Sequence, residues 1–368
     1  MKKKVFKNIE WGILICTILL ILIGLVALFS ATQNTEYDDF KKQIIYLCVS
    51  IPIFIVVLLI DYEIIAKVSP VFYGIFLILL IGVLFTKSVN GATSWFGIGA
   101  FSFQPSEFAK IVVILTLAAV LTKIQERGKS EISRPTRLAI FLLVVAVPVF
   151  LIILQPDYGT ALAFLVATVL MLFVAGINKK YIIAAILLIV ILAPILYFFV
   201  LPDHAKTRID VFLNPNLDPR GSGYNIIQSK LAIGAGQLFG MGLLKGNQTQ
   251  LGFLYPKTTD FIFAVIGEEM GFVATAGIVI TYVVLITKAV YVAKTAKDDL
   301  GSYIAIGIAG IFLFHMLENI GMTIGLLPIT GVPLPFVSYG GSSLLTNMIL
   351  VALLLNISGR RQKAIFIE

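Results

Sequence analysis

Three carboxylates and a lysine stand where apolar stretches of the chain begin. Glu107 and Lys110 lie in FQPSEFAK, Asp157 in LQPDYGTA, and Asp260 in YPKTTDFIFAVIGEEMGF. A carboxylate at such a lip can serve as a general base, and a lysine can hold an anionic group. Each also has a plainer use. Asp157 follows Pro156 and suits a helix N-cap, worth about 1 kcal/mol. Thr259 could cap the helix after it, leaving Asp260 in the first turn to favour the dipole. Glu107 and Lys110, three residues apart, could be a simple ion pair. What decides between the uses is where these lips lie.

The setting is a membrane. Hydrophobic residues make up 59% of 368 and charged residues 13%, and the mean hydropathy is +1.00. A soluble domain carries about twice that charged share. Apolar runs long enough to cross a bilayer fall near 11–31, 43–60, 69–86, 105–122, 137–154, 158–176, 181–200, 262–287, 303–325 and 341–358. They predict an all-α integral membrane protein of about ten transmembrane helices, one polytopic domain over 1–368. The first run is too long for a signal peptide, and no small-residue cleavage site follows it.

Basic residues give the orientation. With the N-terminus inside, the inner ends carry Lys2, Lys3, Lys4, Lys7, Lys67, Lys123, Arg127, Lys129, Arg134, Arg137, Lys179, Lys180, Lys288, Lys294, Lys297, Arg360, Arg361 and Lys363. The short outer loops carry only Lys41, Lys42 and Lys87. That asymmetry, about eighteen to three, predicts both termini in the cytoplasm. The net charge of +8 then reports topology and contact with anionic membrane lipids. It is no nucleic-acid footprint, since no basic stripe with interleaved aromatics occurs. Cys16 and Cys48 read as small hydrophobes, and His204 and His315 do not form a metal pair in sequence.

The same orientation puts the long stretch 201–261 outside. Its first part is polar and proline-containing. In GYNIIQSKLAIGAGQLFGMG an apolar stripe of Tyr224, Ile227, Leu231, Ala235 and Leu238 faces a small, polar stripe of Asn225, Gln228, Ser229, Ala232 and Gly236. That pattern predicts an amphipathic helix at the outer interface or on the bundle. Glu268 and Glu269, and Glu318 with Asn319, read mainly as polar groups that lock helices together. Glu107, Lys110, Asp157 and Asp260 all map to the outer side. So do Trp95, in NGATSWFGIGAFSF, and the loop LPITGVPLPFVSYGGSS. Trp95 alone suits an interfacial anchor. Together they suggest a cleft opening to the outer leaflet, for an amphiphile with its tail in the bilayer and its polar head at the cleft.

TDFIFAVIGEEMGF, FQPSEFAK, LQPDYGTA, GYNIIQSKLAIGAG and PLPFVSYGGSSLLTNM, in this order, make the chain resemble the SEDS family (shape, elongation, division and sporulation) over essentially its whole length. IIQSK, GNQTQLGF and NIGMTIG are more similar to its RodA-like elongation branch than to the FtsW division branch. The resemblance implies a ten-helix peptidoglycan glycosyltransferase that polymerises lipid II at the outer face of the cell membrane. It also implies a partner, a class B penicillin-binding protein that crosslinks the strands. The family's essential aspartate falls on Asp260, and Trp95, Glu107, Lys110 and Asp157 match other family-important positions. Two positions depart from the pattern. Tyr-Pro-Lys-Thr stands where the family has a Glu and a His before TDF, and Ser94 stands where many members have Arg. Both departures leave the diphosphate contacts open.

The implied donor is the growing undecaprenyl-diphosphate-linked glycan, and lipid II supplies the acceptor hydroxyl. A diphosphate leaves without protonation if cations stabilise it. One base, Asp260, and one cationic site therefore suffice for a single inverting displacement. Lys110 with Lys230 or Lys257 could hold the diphosphate, with Gln228 beside Lys230 on the amphipathic helix. A divalent cation, Mg or Mn, shared with Glu107 or Asp157 is the competing device. Two other functions fit the resemblance less well. One is a lipid II flippase, whose polar sites would sit nearer the midplane. The other is a non-catalytic scaffold for the penicillin-binding protein, which needs no clustered carboxylates.

Overall fold

In the computed structural model, residues 8–86, 93–98, 101–219 and 221–361 are described. Lys2, Lys3, Lys4, Lys7, Lys87, Lys363 and the 90–92 and 99–100 parts of the tryptophan loop lie outside them. The membrane helices are α1 (Trp11–Ala31), α2 (Asp38–Leu59), α3 (Tyr62–Val83), α4 (Pro105–Gln125), α5 (Pro135–Ile153), α6 (Tyr158–Val174) and α7 (Lys179–Ile195). Two helices, α8 (Asp203–Leu213) and α9 (Ser222–Ala235), and one turn, α10 (Asn247–Gln250), follow in the long connection. Then come α11 (Ile262–Thr295), α12 (Asp299–Thr323) and α13 (Gly341–Arg360). All ten expected segments are helical, and eight are long and apolar enough to cross a bilayer by themselves. The other two are α4, which carries Glu107, Lys110 and Lys123, and α6, with only 17 residues.

The fold class is all-α, with one local exception. Strands β1 (Phe96–Ile98) and β2 (Phe101–Phe103) form an antiparallel hairpin just before α4. Pro105 and Pro135 open α4 and α5 at positions where a missing N–H costs nothing. A continuous buried cluster runs through α1, α4, α6, α11, α12 and α13, while α7 presents apolar side chains such as Ile186, Leu187 and Val190 on its exposed surface. The two described chain ends meet at one end of the bundle. Glu10 bridges Lys288 at 2.9 Å and Arg361 at 3.5 Å, and its N–H donates to Ser358 Oγ at 3.2 Å.

Two features of the long connection differ from the sequence expectation. The polar, proline-containing segment after residue 201, for which the sequence predicted no helix, forms α8. The eighth apolar run is not one helix either: α11 breaks at Gly271 (φ 76°, ψ −172°) into 262–270 and 272–295. A break inside a membrane protein must be re-satisfied from elsewhere. Here residues 237–242 supply the partners. Phe272 and Val273 donate their N–H groups to the carbonyls of Gln237 (2.8 Å) and Leu238 (3.1 Å). Met241 and Gly242 donate to the carbonyls of Glu268 (2.9 Å) and Glu269 (3.0 Å). Contact is so close that a Cβ at Gly271 would stand 2.3 Å from Gly240 N, and one at Gly236 would stand 1.8 Å from Gly267 O. The small residues of α9, Gly223, Ser229 and Ala232, therefore turn inward. Its apolar Leu231 faces away, as does Leu238 beyond the helix end.

Candidate active site

At the bundle end opposite Glu10, three polar groups gather around the 327–340 loop. The first belongs to the start of α4. Glu107 Oε1 accepts from Lys110 Nζ at 2.9 Å, and Glu107 Oε2 accepts from Thr346 Oγ1 of α13 at 3.0 Å. Both partners of the pair are buried. Lys110 Nζ also lies 3.2 Å from His315 Nε2, whose ring Nδ1 is 3.0 Å from the Pro333 carbonyl. Lys110 is thus a paired interior cation with no exposed surface.

The second group surrounds Asp157. It caps α6 by accepting the Thr160 N–H on Oδ1 (3.2 Å), so the plainer use is real. Its Oδ2 in addition accepts from Gln104 Nε2 (3.1 Å) and Ser106 Oγ (3.4 Å). Burial pushes its carboxyl up from the ordinary range, and the bonds from Thr160 offset part of that. Trp95 is half-buried beside Ser94, whose hydroxyl donates to the Gln155 carbonyl at 3.4 Å. The segment leading into the hairpin is thereby tied to the turn before α6.

The third group is Asp260. Helix α11 starts at Ile262, its N-cap is Phe261, and no side chain caps it. Thr259 is therefore not the cap that the sequence allowed, and Asp260 lies before the first turn rather than in it. Asp260 is half-buried, and burial pushes its carboxyl up from the ordinary range. A hydrogen bond with Thr259 and the charge of Arg208 on α8 pull it partly back. Gly331 lies beside it, so that a Cβ there would be in ordinary contact with Asp260 Oδ2 at 3.5 Å. Asn319 Nδ2 holds the main chain, donating to the carbonyls of Asp260 (3.0 Å) and Val332 (2.9 Å).

Arg208 escaped the sequence reading because its polar segment carried no helical pattern that placed it. As a helix, HAKTRIDVF brings the Arg208 charge within electrostatic reach of the carboxylate. The remaining candidates lie in the long connection. Lys257 donates to the Thr249 carbonyl at 2.8 Å, and burial pulls its ammonium down from the ordinary range. Lys230 is exposed and runs across Gly325, where a Cβ would meet its Cε at 2.1 Å. Gln228 is half-buried on α9. Glu268 and Glu269 serve the connection itself. Glu268 accepts from the N–H groups of Gln248 (2.6 Å) and Thr249 (2.9 Å), and Glu269 from Gln250 Nε2 (2.8 Å). Among the described residues, no three His, Cys, Asp or Glu side chains gather as a metal site.

The chain is similar to the peptidoglycan glycosyltransferase MrdB of Escherichia coli K12, 36% identical over 354 residues that cover 94% of each protein. It is similar to the stage V sporulation protein E of Bacillus subtilis, 37% identical over 94% of this chain and 96% of that one. Among solved structures it resembles a chain of a peptidoglycan synthase complex that coordinates polymerization and crosslinking, with TM-score 0.82 and 27% identity over 95% of this chain and 97% of that one. It also resembles the rod shape determining protein RodA of Thermus thermophilus, with TM-score 0.72 and 26% identity over 96% and 98%. The family pattern for FtsW, RodA and SpoVE, described as cell cycle protein, matches residues 10–363. With that match spanning nearly the whole sequence, the chain belongs to the FtsW/RodA/SpoVE family of cell cycle proteins.

Proposed function

We propose that this chain is a peptidoglycan glycosyltransferase that polymerises lipid II at the outer face of the cytoplasmic membrane, with Asp260 as general base. One observation carries the assignment of the base. Asp260 caps no helix, is held by its main chain, and keeps a half-buried carboxyl with raised proton affinity at the bundle end that holds the polar groups. A base with raised affinity is matched to deprotonating a hydroxyl near neutral pH. The family's activity supports the reaction, since relatives named peptidoglycan glycosyltransferase share 36% identity over nearly full length.

In this reaction the acceptor hydroxyl of lipid II attacks the anomeric carbon of the growing strand. Asp260 takes the hydroxyl proton, the carbon–oxygen bond to undecaprenyl diphosphate breaks, and the carbon inverts. The leaving diphosphate carries its electron pair away without a proton and needs positive charge nearby. Arg208 acts on Asp260 from α8 and is the cation we place there first, with exposed Lys230 next. Buried Lys110 belongs to the interior network. A Mg or Mn ion held by one carboxylate and the diphosphate oxygens would supply the same charge.

The partner would be a class B penicillin-binding protein, in line with the synthase complex that the chain resembles. The elongation branch rests on the motif likeness, because relatives named MrdB, FtsW and stage V sporulation protein E match at 36%, 36% and 37%. A broken membrane helix is also a transporter device. The break at Gly271 favours that use less, because its amides and carbonyls are bonded to residues 237–242. The deciding experiment is purified protein with lipid II in detergent, analysed on a gel for glycan strands, with and without the penicillin-binding protein. Strands from the lone chain, increased by the partner, support the proposal. No strands under either condition would leave a flippase or a scaffold.

A further inference from the structure

The base is held from one face of α12. His315, Glu318 and Asn319, at i, i+3 and i+4, all reach the same loop. Glu318 Oε1 accepts from Thr330 Oγ1 at 2.8 Å, Asn319 donates to the Val332 carbonyl at 2.9 Å, and His315 meets the Pro333 carbonyl at 3.0 Å. Between Thr330 and Val332 lies Gly331, which passes beside the Asp260 carboxylate, and Asn319 ties the two by donating to the Asp260 carbonyl as well as to Val332. The loop also cannot retreat toward α6, because Val332 packs so tightly on Gly159 that a Cβ there would stand 2.2 Å away.

The histidine's hydrogen bonds define its state. Lys110 is ion-paired to Glu107, so its ammonium can only donate, and His315 Nε2 must accept. The Pro333 carbonyl can only accept, so Nδ1 must carry the ring's hydrogen and donate to it. Nothing in the chemistry described above uses this ring, although it is wholly buried and lies one bond from the loop beside the base.

We propose that His315 is a positioning residue for polymerisation: Lys110 fixes its Nδ1–H tautomer, and that N–H pins Pro333 so that the loop through Gly331 and Val332, which Asn319 ties to the Asp260 main chain, keeps Asp260 in its reactive orientation. The proposal rests on the reading of Asp260 as base. It gives the buried Glu107–Lys110 pair a part in the reaction without contact to substrate. A misplacement of the base by about 1 Å is enough to cost about a hundredfold in rate.

Three substitutions separate positioning from mere support, because Asn places an amide donor near the Nδ1 position while Gln places its amide near Nε2. The full chain is purified in detergent and assayed for strand synthesis over a range of lipid II concentrations, with a thermal melt of each variant. We expect His315→Asn to stay within about threefold of wild-type kcat, and His315→Gln and His315→Leu to lose about tenfold or more at nearly unchanged KM. His315→Asn and His315→Gln should melt together. If His315→Leu does not fold, the Asn and Gln variants alone decide. Equal kcat for those two, or wild-type kcat in His315→Gln, overturns the proposal. Asp260→Asn is the control in the same assay. If it polymerises at wild-type rate, the base assignment falls and the proposal with it. If it is inactive while every His315 variant is normal, only the positioning role falls.

Discussion

The side-chain amide of Asn319 donates to the backbone carbonyl of Asp260 at 3.0 Å, with its second bond to the Val332 carbonyl. The loop and the base are thus tied by one NH2 group. Asn319→Leu leaves both carbonyls without that donor, each costing about 1–3 kcal/mol if left unpaired. We expect a lower melting temperature together with lost strand synthesis. An unchanged melt would show that the clasp bears little of the fold's stability.

Asp260→Asn separates base from support. It keeps size and hydrogen-bonding capacity but removes the carboxylate. We expect polymerisation at saturating lipid II to fall about a hundredfold or more. Asp157→Asn and Glu107→Gln should be milder in kcat.

The pH dependence follows from the raised proton affinity of Asp260. As a base it works only when ionised, so the rate should climb as pH rises through its pKa and then level off. That limb should lie above the usual aspartate value of about 3.9. Arg208 pulls the pKa down, so Arg208→Gln should move the limb to higher pH. Stability runs the other way. A carboxyl whose pKa is higher folded than unfolded costs stability once ionised, and that cost vanishes as pH falls below the unfolded value. At neutral pH, Asp260→Asn should therefore melt at the same temperature as wild type or higher. A rate profile with no acid limb in this range, or a limb unmoved by Arg208→Gln, would count against the assignment.

Sidedness has its own measurement. In a background lacking Cys16 and Cys48, a cysteine replacing exposed Asn216 should react with an impermeant thiol reagent added to intact cells. Labelling only after lysis would put Asp260 on the cytoplasmic side.

The sequence was most legible where physics is local. Helix lengths follow from apolar runs, and the ion pair of Glu107 with Lys110 follows from their spacing. Asp157 capping α6 is equally local. What stayed hidden depends on distant partners. The run 262–287 is uniformly apolar, and only bonds from 237–242 let it break at Gly271. The segment PDHAKTRID is polar and carries no helical pattern, yet it forms α8 and brings the Arg208 charge within electrostatic reach of Asp260. His315 read as a lone histidine because its partners, Lys110 and Pro333, are far from it in sequence or across a turn. The stripes of α9 were visible, but a bundle that wants close backbone approach takes the small face, and the sequence alone does not say which face is wanted.

The knitting at Gly271 also bears on how the molecule could be divided. Leu251, Gly252 and Phe253 form an exposed turn. The groups that fill the break lie upstream of that turn: residues 237–242 fill the gap, and 246–250 rest on Glu268 and Glu269. The helix they fill lies downstream. A chain opened at Gly252 would therefore stay joined across the cut by these hydrogen bonds, and α1 against α11 and α6 against α12 would hold the rest. Two separately made pieces, 1–251 and 253–368, carry the matching halves of that seam.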